Sequence, residues 1–369
     1  MSRFRAGVGE QPRAHPIAYR RIGLLALKRS SGSAYNIYMT STALKTCMRK
    51  AIVVFTLLLL YSSGLRAQLN VYYINVGQGD ATYIELPNGH NVMIDGGPSA
   101  APIEKFIKDK GITTIDHIVL THPHSDHYRG LKKVFAMVDV KNFYDSRAEN
   151  IEAKGDNNLR ELADAEPSCK THYPEAGSKL NWDSRVTVKV LNTCPDPVQL
   201  KYNDDVNNCS IVLRFFYNGT GLLFTGDAES SIENAMMRIF KSGLDSYALK
   251  VGHHGSRYSS TNKFLERVSP KVAIISVGVD NVYGHPHKEA LDRVRATGAK
   301  IFFTTGGTQT LSIPAPRKGV EPVLEGPVPY DPAAPVLPLV EAAIYKPEVE
   351  APRNVNGPAR EQLTEQAAR

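Results

Sequence analysis

Residues 121–130, THPHSDHYRG, place three of the chain's eleven histidines and one aspartate within six positions, directly after the apolar run HIVL. Such a polar cluster does not contribute to the packing of an apolar core, whereas imidazole and carboxylate are ligands for Zn²⁺, Mn²⁺ or Fe. The spacing gives two pairs, His122 with His124 and Asp126 with His127, which is the layout for two metal ions that share a bridge. The alternative is a chance polar loop. We take the stretch to predict a metal site at the end of a strand.

Other candidate ligands follow apolar strands further along the chain. In LLFTGDAE, Asp227 ends a strand and opens a helix, so it is either a helix N-cap or a bridging ligand. LKVGHHGS has the same form and ends in His253 and His254. YGHPH places His285 and His287 just after a strand, where they either donate protons and hold phosphate or have a structural role. The strand ends before His122, Asp227 and His253 each carry His or Asp, which predicts one site at the carboxyl edge of the sheets.

The pattern from Leu69 onward is rich in strands. Short β-like runs are separated by turn residues, and Asn88-Gly89 indicates a hairpin turn. A polar stretch from about 146 to 183 has no clear period. Strands then resume and alternate strictly with helices from about residue 220. Two strand-rich blocks accompanied by helices predict an α/β fold with two sheets packed face to face and helices outside.

The basic charge lies in the leader. The chain has a formal net charge of +7, but residues 1–67 hold eleven Lys/Arg and one acid, so the remainder is slightly acidic. Net charge therefore gives no support to a basic nucleic-acid-binding face. Residues 48–67, MRKAIVVFTLLLLYSSGLRA, are typical of a cleaved signal peptide, with cleavage after Ala67 or after Gly64, and an uncleaved anchor as the alternative. We expect export, and we interpret residues 1–47 as an over-extended reading frame.

The composition changes after Pro314. Eleven of the 23 prolines fall between Pro314 and Pro358, so we expect residues 315–369 to form an extended, largely disordered tail. Outside the leader there are three cysteines, Cys169, Cys194 and Cys209, which allow one disulfide and one free thiol. Cys209 lies in the apolar run CSIVLRFF and is expected to be a buried small hydrophobic residue.

These motifs together resemble a known family. HPHSDH, FTGD and GHHGS in this order resemble the metallo-β-lactamase fold. NVGQGDATYIE, MIDGG, LKVGHHGSRYSS, VAIISVGVDNVYGHPH and FFTTGGTQTLSI are similar to the metallo-hydrolase domain attached to the competence DNA-uptake protein ComEC. The resemblance covers about residues 69–313. It does not extend to the membrane channel of ComEC, because the sequence has no polytopic hydrophobic segment, and we expect no integral membrane domain.

The resemblance implies an αββα sandwich, here residues 68–314, with the metal site at one edge. It implies one or two ions, Zn²⁺ or Mn²⁺. Asp95 would lie behind the ligands and orient the metal loop, by which we mean residues 122–127. In this assignment His254 is a substrate contact, or a ligand in place of His253. The implied ligands are His122 and His124 for one ion, Asp126, His127 and His253 for the other, and Asp227 as the bridge.

One departure from the family concerns the first ion. The wider fold usually supplies a third histidine shortly before the GD strand, but no histidine lies between His172 and Asp227. His172 would reach the site only through a long loop, and Asn207 or Asn208 is the alternative occupant. The sequence therefore leaves open a weak first site or a one-metal enzyme.

The predicted activity is metal-assisted hydrolysis, in which Asp126, Asp227, His285 and His287 have catalytic roles. The resemblance favours a phosphodiesterase or nuclease acting on DNA or another phosphodiester. The residues themselves do not indicate whether the substrate is a phosphodiester, a lactone, a thioester or a β-lactam. They do not indicate an oligomeric state either. The alternatives are a non-catalytic module that binds DNA or a wall polymer, and a hydrolase that resembles phosphorylcholine esterases.

Overall fold

The fold was analysed in a computed structural model that describes residues 46, 48–52, 68–151, 155–194, 198–200, 203–279, 281–316 and 320–326. The chain divides into two compact units, Met1–Ser63 and Gly64–Arg369. Within the first unit, the described residues are helical. The strands, the remaining helices and all candidate site residues lie in the second unit.

The first sheet has eight strands, in the order β19-β18-β1-β2-β3-β5-β7-β9. Its first five strands pair antiparallel, and β3, β5, β7 and β9 pair parallel. The strands are β1 (Leu69–Tyr73), β2 (Thr82–Glu85), β3 (Asn91–Ile94), β5 (His117–Val119), β7 (Asn142–Tyr144), β9 (Lys170–His172), β18 (Gln309–Ile313) and β19 (Val323–Glu325).

The second sheet has seven strands, in the order β10-β11-β13-β14-β15-β16-β17. Its strand pairing follows the same pattern as in the first sheet. The pairs from β10 to β14 are antiparallel, and those from β14 to β17 are parallel. The strands are β10 (Lys179–Asp183), β11 (Val186–Asn192), β13 (Val212–Tyr217), β14 (Thr220–Phe224), β15 (Ala248–Lys250), β16 (Val272–Ile275) and β17 (Lys300–Phe303).

Two further pairs of short parallel strands lie outside the main sheets. They are β4 (Thr114–Ile115) with β6 (Asp139–Val140), and β8 (Ala148–Asn150) with β12 (Val198–Leu200). The helices of the second unit are α1 (Ala100–Lys110), α2 (Ser125–Tyr128), α3 (Leu131–Met137), α4 (Gly155–Ala165), α5 (Asn203–Asn208), α6 (Ser230–Phe240), α7 (Asn262–Val268) and α8 (Lys288–Ala296).

The sheets pack face to face, and side-chain alternation along each strand explains why. Ile84 on β2 and Phe215 on β13 contribute to the core between the sheets, whereas Tyr83, the neighbour of Ile84, packs on the outer face. The outer face of the first sheet is covered by α1, α3 and α4 through residues such as Ile103. The outer face of the second is covered by α6, α7 and α8 through residues such as Phe264. The result is the predicted αββα arrangement, with both faces of each sheet buried.

Local turn chemistry fixes the first hairpin. The amide of Leu86 donates to the carbonyl of His90 at 2.8 Å, and Gly89 has a φ of +92°, which favours glycine. Asn88 at this turn also donates through its side chain to the carbonyl of Trp182 in the second sheet. The hairpin turn at Asn88-Gly89 therefore forms as the sequence predicts.

Three sequence-based expectations need correction. The polar stretch without a clear period contains helix α4, which buries Leu159 and Ala163 and exposes most of its other residues. The ordered chain continues past residue 314, because β19 pairs with β18 at the edge of the first sheet, a position that tolerates nearby proline. Cys209 is buried as expected, but it forms a disulfide with Cys194, and Cys169 is free.

The expected signal segment lies outside the described residues except for 48–52, and the expected tail does so except for 315–316 and 320–326. In the part of the chain that the structure describes, no helix combines the length and the apolar character needed to cross a membrane.

Candidate metal centre

The candidate ligands lie where parallel strands of both sheets end. β5 of the first sheet is followed by His122, β14 of the second by Asp227, and β15 by His254. Carboxyl ends of parallel strands in one sheet share an edge, and the packing of the two sheets brings these edges together. The site is therefore built from loops that rigid strands position on both sides.

One group of potential ligands consists of His122, His124 and Asp227. Their ligand atoms lie within 4.8 Å of one another. Nε2 of His122 lies 2.9 Å from Nδ1 of His124 and 3.8 Å from Oδ2 of Asp227. The alternation of residues 122 and 124 after β5 directs both imidazoles to the same place, as the sequence predicts.

A second group consists of Asp126, His127 and His254. Nε2 of His254 lies 3.3 Å from Oδ2 of Asp126, and all three ligand atoms lie within 4.8 Å of one another. Asp126 and His127 lie in the short helix α2, which begins directly after His124. The two groups are therefore adjacent, as their sequence spacing requires.

Asp227 lies between the two groups. Its Oδ2 is 3.8 Å from Nε2 of His122, 3.3 Å from Nε2 of His127 and 3.5 Å from Nε2 of His254. The backbone amide of Asp227 donates to Oγ of Ser210 at 3.0 Å, so its position does not depend on capping a helix with its side chain. This is the geometry of a bridging carboxylate.

Asp95 fixes the metal loop from behind. Its Oδ2 lies 2.8 Å from Nδ1 of His127, and the carboxylate accepts hydrogen bonds from the amide and hydroxyl of Thr121. With Nδ1 turned to Asp95, Nε2 of His127 is the nitrogen that faces Asp227 and would hold an ion. Asp95 thus occupies the orienting position that the resemblance implies. Its φ of +56° is unusual for a residue other than glycine.

The grouping predicted for His253 is corrected by the structure. His254, not His253, lies with Asp126 and His127, and Nδ1 of His254 donates to the carbonyl of Ser276 at 2.9 Å. Nδ1 of His253 instead lies 3.1 Å from Oε1 of Glu229, and its Nε2 is 3.8 Å from Oδ2 of Asp227. Both histidines have φ near +50° in a tight turn, so the turn directs their rings differently, and the alternative ligand named in the sequence analysis, His254, takes the position that the resemblance gives to His253.

His172 does not reach the site. Its Nε2 lies 2.8 Å from Oδ1 of Asn142, and its ring stacks on Tyr144 in the first sheet. On the side of the first ligand group, Oγ of Ser210 lies 3.4 Å from Nδ1 of His122. Asn207 is buried and its Nδ2 faces Glu229, while Asn208 accepts the amide of Glu229. Ser210 thus lies beside His122, whereas Asn207 and Asn208 lie against Glu229.

His285 and His287 lie beside the ligand groups. The ring centroid of His285 is 5.3 Å from that of His253 and 4.8 Å from that of His287. Nδ1 of His287 accepts the backbone amide of Arg257, so a neutral His287 carries its proton on Nε2. His285 is thus buried beside His253, and the partly exposed His287 lies next to His285.

The electrostatics of the cluster are set by burial and by its many charges. Burial alone would raise the pKa of Asp227, but His254, His127 and His253 outweigh it and hold that pKa well below its ordinary value. Burial lowers the pKa of His122, and the neighbouring His127 lowers it further. Asp227 is therefore an anion, and His122 is a neutral imidazole, which is the form that binds a metal.

The donor set fits divalent cations. Among the described residues, none forms a hydrogen bond with Nε2 of His127, Nε2 of His254 or Oδ1 of Asp227, although all three atoms are buried. The surrounding carboxylates, namely Asp80, Asp95, Asp126 and Asp227, face one lysine ammonium, that of Lys250. Burial alone would lower the pKa values of His127 and His254, but Asp227 and the other carboxylates outweigh it and raise both well above the ordinary value. A bound cation would replace these protons as the positive charge that the carboxylates require. Imidazole nitrogens with carboxylate oxygens suit Zn²⁺ or Mn²⁺.

A four-layer αββα fold with a His/Asp cluster at the edge of its two sheets defines the class of metal-dependent hydrolase folds. Residues 74–279 match the family model described as the metallo-beta-lactamase superfamily. The chain belongs to this superfamily, so the family predicted from the sequence motifs is confirmed.

The chain is similar to parts of two longer curated proteins. The chain is 28% identical over 259 residues to ComE operon protein 3 of Bacillus subtilis (strain 168), covering 65% of this chain and 32% of that protein. It is 32% identical over 232 residues to the competence protein ComA of Neisseria gonorrhoeae, covering 62% and 30%. The chain thus spans about a third of the length of these relatives. The solved metallo-beta-lactamase fold protein YhfI from Bacillus subtilis is 12% identical, with a TM-score of 0.41, covering 65% of this chain and 98% of that one.

Four contact residues of the site were missed by sequence reasoning: Asp80, Ser210, Glu229 and Lys250. Asp80 ends the GQGD turn, which gave a signal only through the family resemblance. Ser210, Glu229 and Lys250 have residue types that occur throughout the chain, so no local pattern marks them.

Proposed function

We propose that this protein is an exported, metal-dependent phosphodiesterase that acts on DNA or a related phosphodiester. The observation that carries the proposal is the position of Asp227, whose Oδ2 lies within 3.8 Å of histidine nitrogens from loops of both sheets. Two ligand groups joined by one carboxylate suit a two-ion site, and such sites are well matched to in-line displacement at phosphorus. The resemblance of the motifs to a DNA-uptake protein family, with which the name of the competence protein ComA agrees, supports a DNA-related substrate.

The residues of the chain have separate tasks in this proposal. His122 and His124 would hold one ion, Asp126, His127 and His254 the other, and Asp227 both. When bound, Zn²⁺ or Mn²⁺ would supply Lewis-acid activation of the attacking water and of the phosphoryl group.

His285 and His287 would contact the substrate rather than an ion. His285 is held in place by Asn281, which accepts the backbone amide of His285 and donates to its carbonyl. His287 offers Nε2–H when neutral. We assign these two side chains to hydrogen bonds with a phosphoryl or leaving-group oxygen.

Export is part of the proposal and rests on two features. Residues 48–67 have the composition of a signal peptide. Cys194 and Cys209 form a disulfide, and such bonds persist mainly in oxidising compartments. Detection of the mature chain outside the cytoplasm, with an N-terminus near Gln68, would test this part.

The test of activity uses the purified chain, stripped of metal and then supplied with Zn²⁺ or Mn²⁺. We expect metal-dependent cleavage of bis(p-nitrophenyl) phosphate and of DNA, and a loss of at least about a hundredfold in Asp227→Ala. Asp292→Asn, a change at an exposed aspartate of α8, is the matched control and should retain activity. Cleavage of choline phosphoesters without cleavage of DNA would favour the surface-polymer hydrolase instead.

A non-catalytic binding module is the second candidate. The feature that favours it is the first ligand group, which among the described residues has two histidines and Asp227, with Ser210 rather than a third histidine beside His122. This alternative predicts that the chain binds metal and DNA but shows no turnover with any phosphodiester. A metal count together with a DNA-binding measurement on the same sample separates the two functions.

A further inference from the structure

Asp80, at the end of the GQGD turn, forms a buried charge pair with Lys250. One ligand atom of Asp80 also lies within 4.8 Å of those of Asp227 and His254, and of those of Asp95 and His127. Asp80 follows β1 and Lys250 is the last residue of β15, so the pair joins the two sheets. Nζ of Lys250 lies 2.5 Å from Oδ2 of Asp80, and both side chains are at least 90% buried. Nζ also donates to the carbonyl of Val251 at 2.9 Å. A buried ion pair contributes little net stability compared with apolar residues of similar volume, so its presence beside the metal ligands calls for another explanation.

The backbone of Asp80 connects the loops that carry the ligands. Its amide donates to the carbonyl of Asp126 at 3.2 Å, and its carbonyl accepts the amide of Gly97 at 2.7 Å. A Cβ at the preceding residue, Gly79, would lie 2.3 Å from the carbonyl oxygen of Asp126, so only glycine permits this approach. The position of Asp80 is therefore fixed relative to the metal loop before its side chain makes any contact.

The second carboxylate oxygen of Asp80 points toward His254. Oδ1 has no hydrogen-bond partner among the described residues and lies 3.5 Å from Nδ1 of His254. That Nδ1 donates to the carbonyl of Ser276, so Nδ1 carries a proton, and Nε2 is the nitrogen that faces Asp126 and Asp227 and would hold an ion. A carboxylate beside Nδ1–H stabilises this tautomer and makes Nε2 a stronger electron donor.

Lys250 argues against a role for Asp80 as a metal ligand. The ammonium already neutralises Oδ2, and a metal ion on Asp80 would lie close to that positive charge. With Oδ2 paired to Lys250, the other carboxylate oxygen of Asp80, Oδ1, is directed at the ring of His254.

We propose that Asp80 is a positioning residue for His254, with Lys250 as its counter-ion, and that the GQGD turn thereby sets the affinity of the second ligand group for its metal ion. The inference rests on the metal centre of the proposed function but not on its substrate.

The test compares three variants of the full chain: Asp80→Asn, Lys250→Met, and the double variant. Zn²⁺ affinity and stoichiometry are measured by competition with a chromophoric chelator, and Co²⁺ absorption spectra report the ligand geometry. Thermal unfolding of metal-stripped protein reports stability separately. Lys105→Met with Asp109→Asn is the matched control, because the same residue types form an exposed ion pair on α1.

We expect Asp80→Asn and the double variant to bind one of the two ions 10- to 100-fold more weakly, with an altered Co²⁺ spectrum and unchanged stoichiometry. Lys250→Met should mainly lower stability, because it leaves a buried carboxylate without its partner. If Asp80→Asn does not fold, the double variant decides, because it removes both charges together.

Two results would overturn the proposal. A double variant with the affinity and spectrum of the parent would show that the pair is only structural. Loss of a whole ion in Asp80→Asn, with the other ion unaffected, would make Asp80 a ligand. A parent that binds two ions but cleaves no phosphodiester would refute the proposed function alone, and a parent that binds no metal would refute both.

Discussion

Nε2 of His254 lies 3.5 Å from Oδ2 of Asp227. The two residues lie in the loops that follow the neighbouring parallel strands β15 and β14. His253, one position earlier, places its Nδ1 3.1 Å from Glu229 instead. Two adjacent histidines therefore have different surroundings, and the structure assigns the metal-facing position to the second.

We predict that His254→Ala removes one ion from the metal-loaded protein, or weakens its binding at least about a hundredfold, because a direct ligand is lost. His253→Ala should keep the stoichiometry of the parent. Metal content after dialysis and a Zn²⁺ titration are the measurements. The reverse ranking of the two variants would restore His253 as the ligand.

The Cys194–Cys209 disulfide closes a loop with a sequence separation of 15, which contains α5. Replacing both cysteines by serine should lower the free energy of unfolding by about 3 kcal/mol, because the unfolded chain regains the entropy of that loop. Ser210 follows directly and contacts His122, so the first ion should also bind more weakly.

Denaturant unfolding of the double serine variant under non-reducing conditions measures this stability effect. Cys169→Ser is the control, since Cys169 forms no disulfide, and a change below about 1 kcal/mol is expected. Equal stability of the double serine variant and the parent would contradict the prediction.

The burial of His117 predicts that the folded protein loses stability as the pH is lowered. Burial lowers the pKa of His117 to about 3, with smaller contributions from His90 and His172, and its ring stacks on Trp182 with a centroid distance of 4.7 Å. Below about pH 6.5 His117 binds a proton in the unfolded chain, whereas in the folded chain it stays neutral down to about pH 3. Lowering the pH through this window therefore favours the unfolded state, and stability decreases. The loss between pH 8 and pH 5 is about 2 kcal/mol.

His117→Phe should remove this part of the pH dependence and keep the ring contact. The measurement is the difference in unfolding free energy between parent and variant at pH 8 and at pH 5. The variant should gain about 2 kcal/mol relative to the parent at the lower pH. A difference that does not change with pH would mean that His117 becomes protonated in the folded state.

Tyr283 offers an exposed aromatic face next to the site. Its side chain is 61% exposed, and its ring stacks on His285 with a centroid distance of 5.7 Å. If the substrate is single-stranded DNA, a base stacked on this ring contributes about 1–3 kcal/mol. Tyr283→Ala should then raise the KM for an oligonucleotide about tenfold, and Tyr283→Phe should not.

An oligonucleotide of the same length with abasic sites provides the discriminating substrate. Its KM should be the same for the parent and for Tyr283→Ala, because it has no base to stack. An equal effect of Tyr283→Ala on both substrates would assign the residue to the phosphate backbone or to loop structure.

The sequence predicts the layers of the fold because the alternation of residues such as Tyr83 and Ile84 is a local property. It predicts the cluster from His122 to His127 for the same reason, since ligand type and spacing lie in one short segment. Helix α4 was missed because its buried residues are too few to show a period. Strand β19 was missed because an edge strand needs no apolar pattern.

The choice between His253 and His254 was beyond sequence reasoning for a different reason. Both residues have positive φ, so the direction of each ring depends on the fold of the turn and on contacts with Glu229 and Ser276. The role of Asp80 likewise depends on Lys250, a partner from the other sheet. Contacts of this kind follow from the packing of the sheets, which no local pattern encodes.

The division of the ligands between two sheets links metal binding to folding. Four candidate ligands follow β5 of the first sheet, and Asp227 and His254 follow strands of the second. Each bound ion would therefore add its binding energy to the cohesion of the two halves. Chelation would then act on this protein as a mild denaturant, loosening the interface between the sheets before it disturbs either sheet alone.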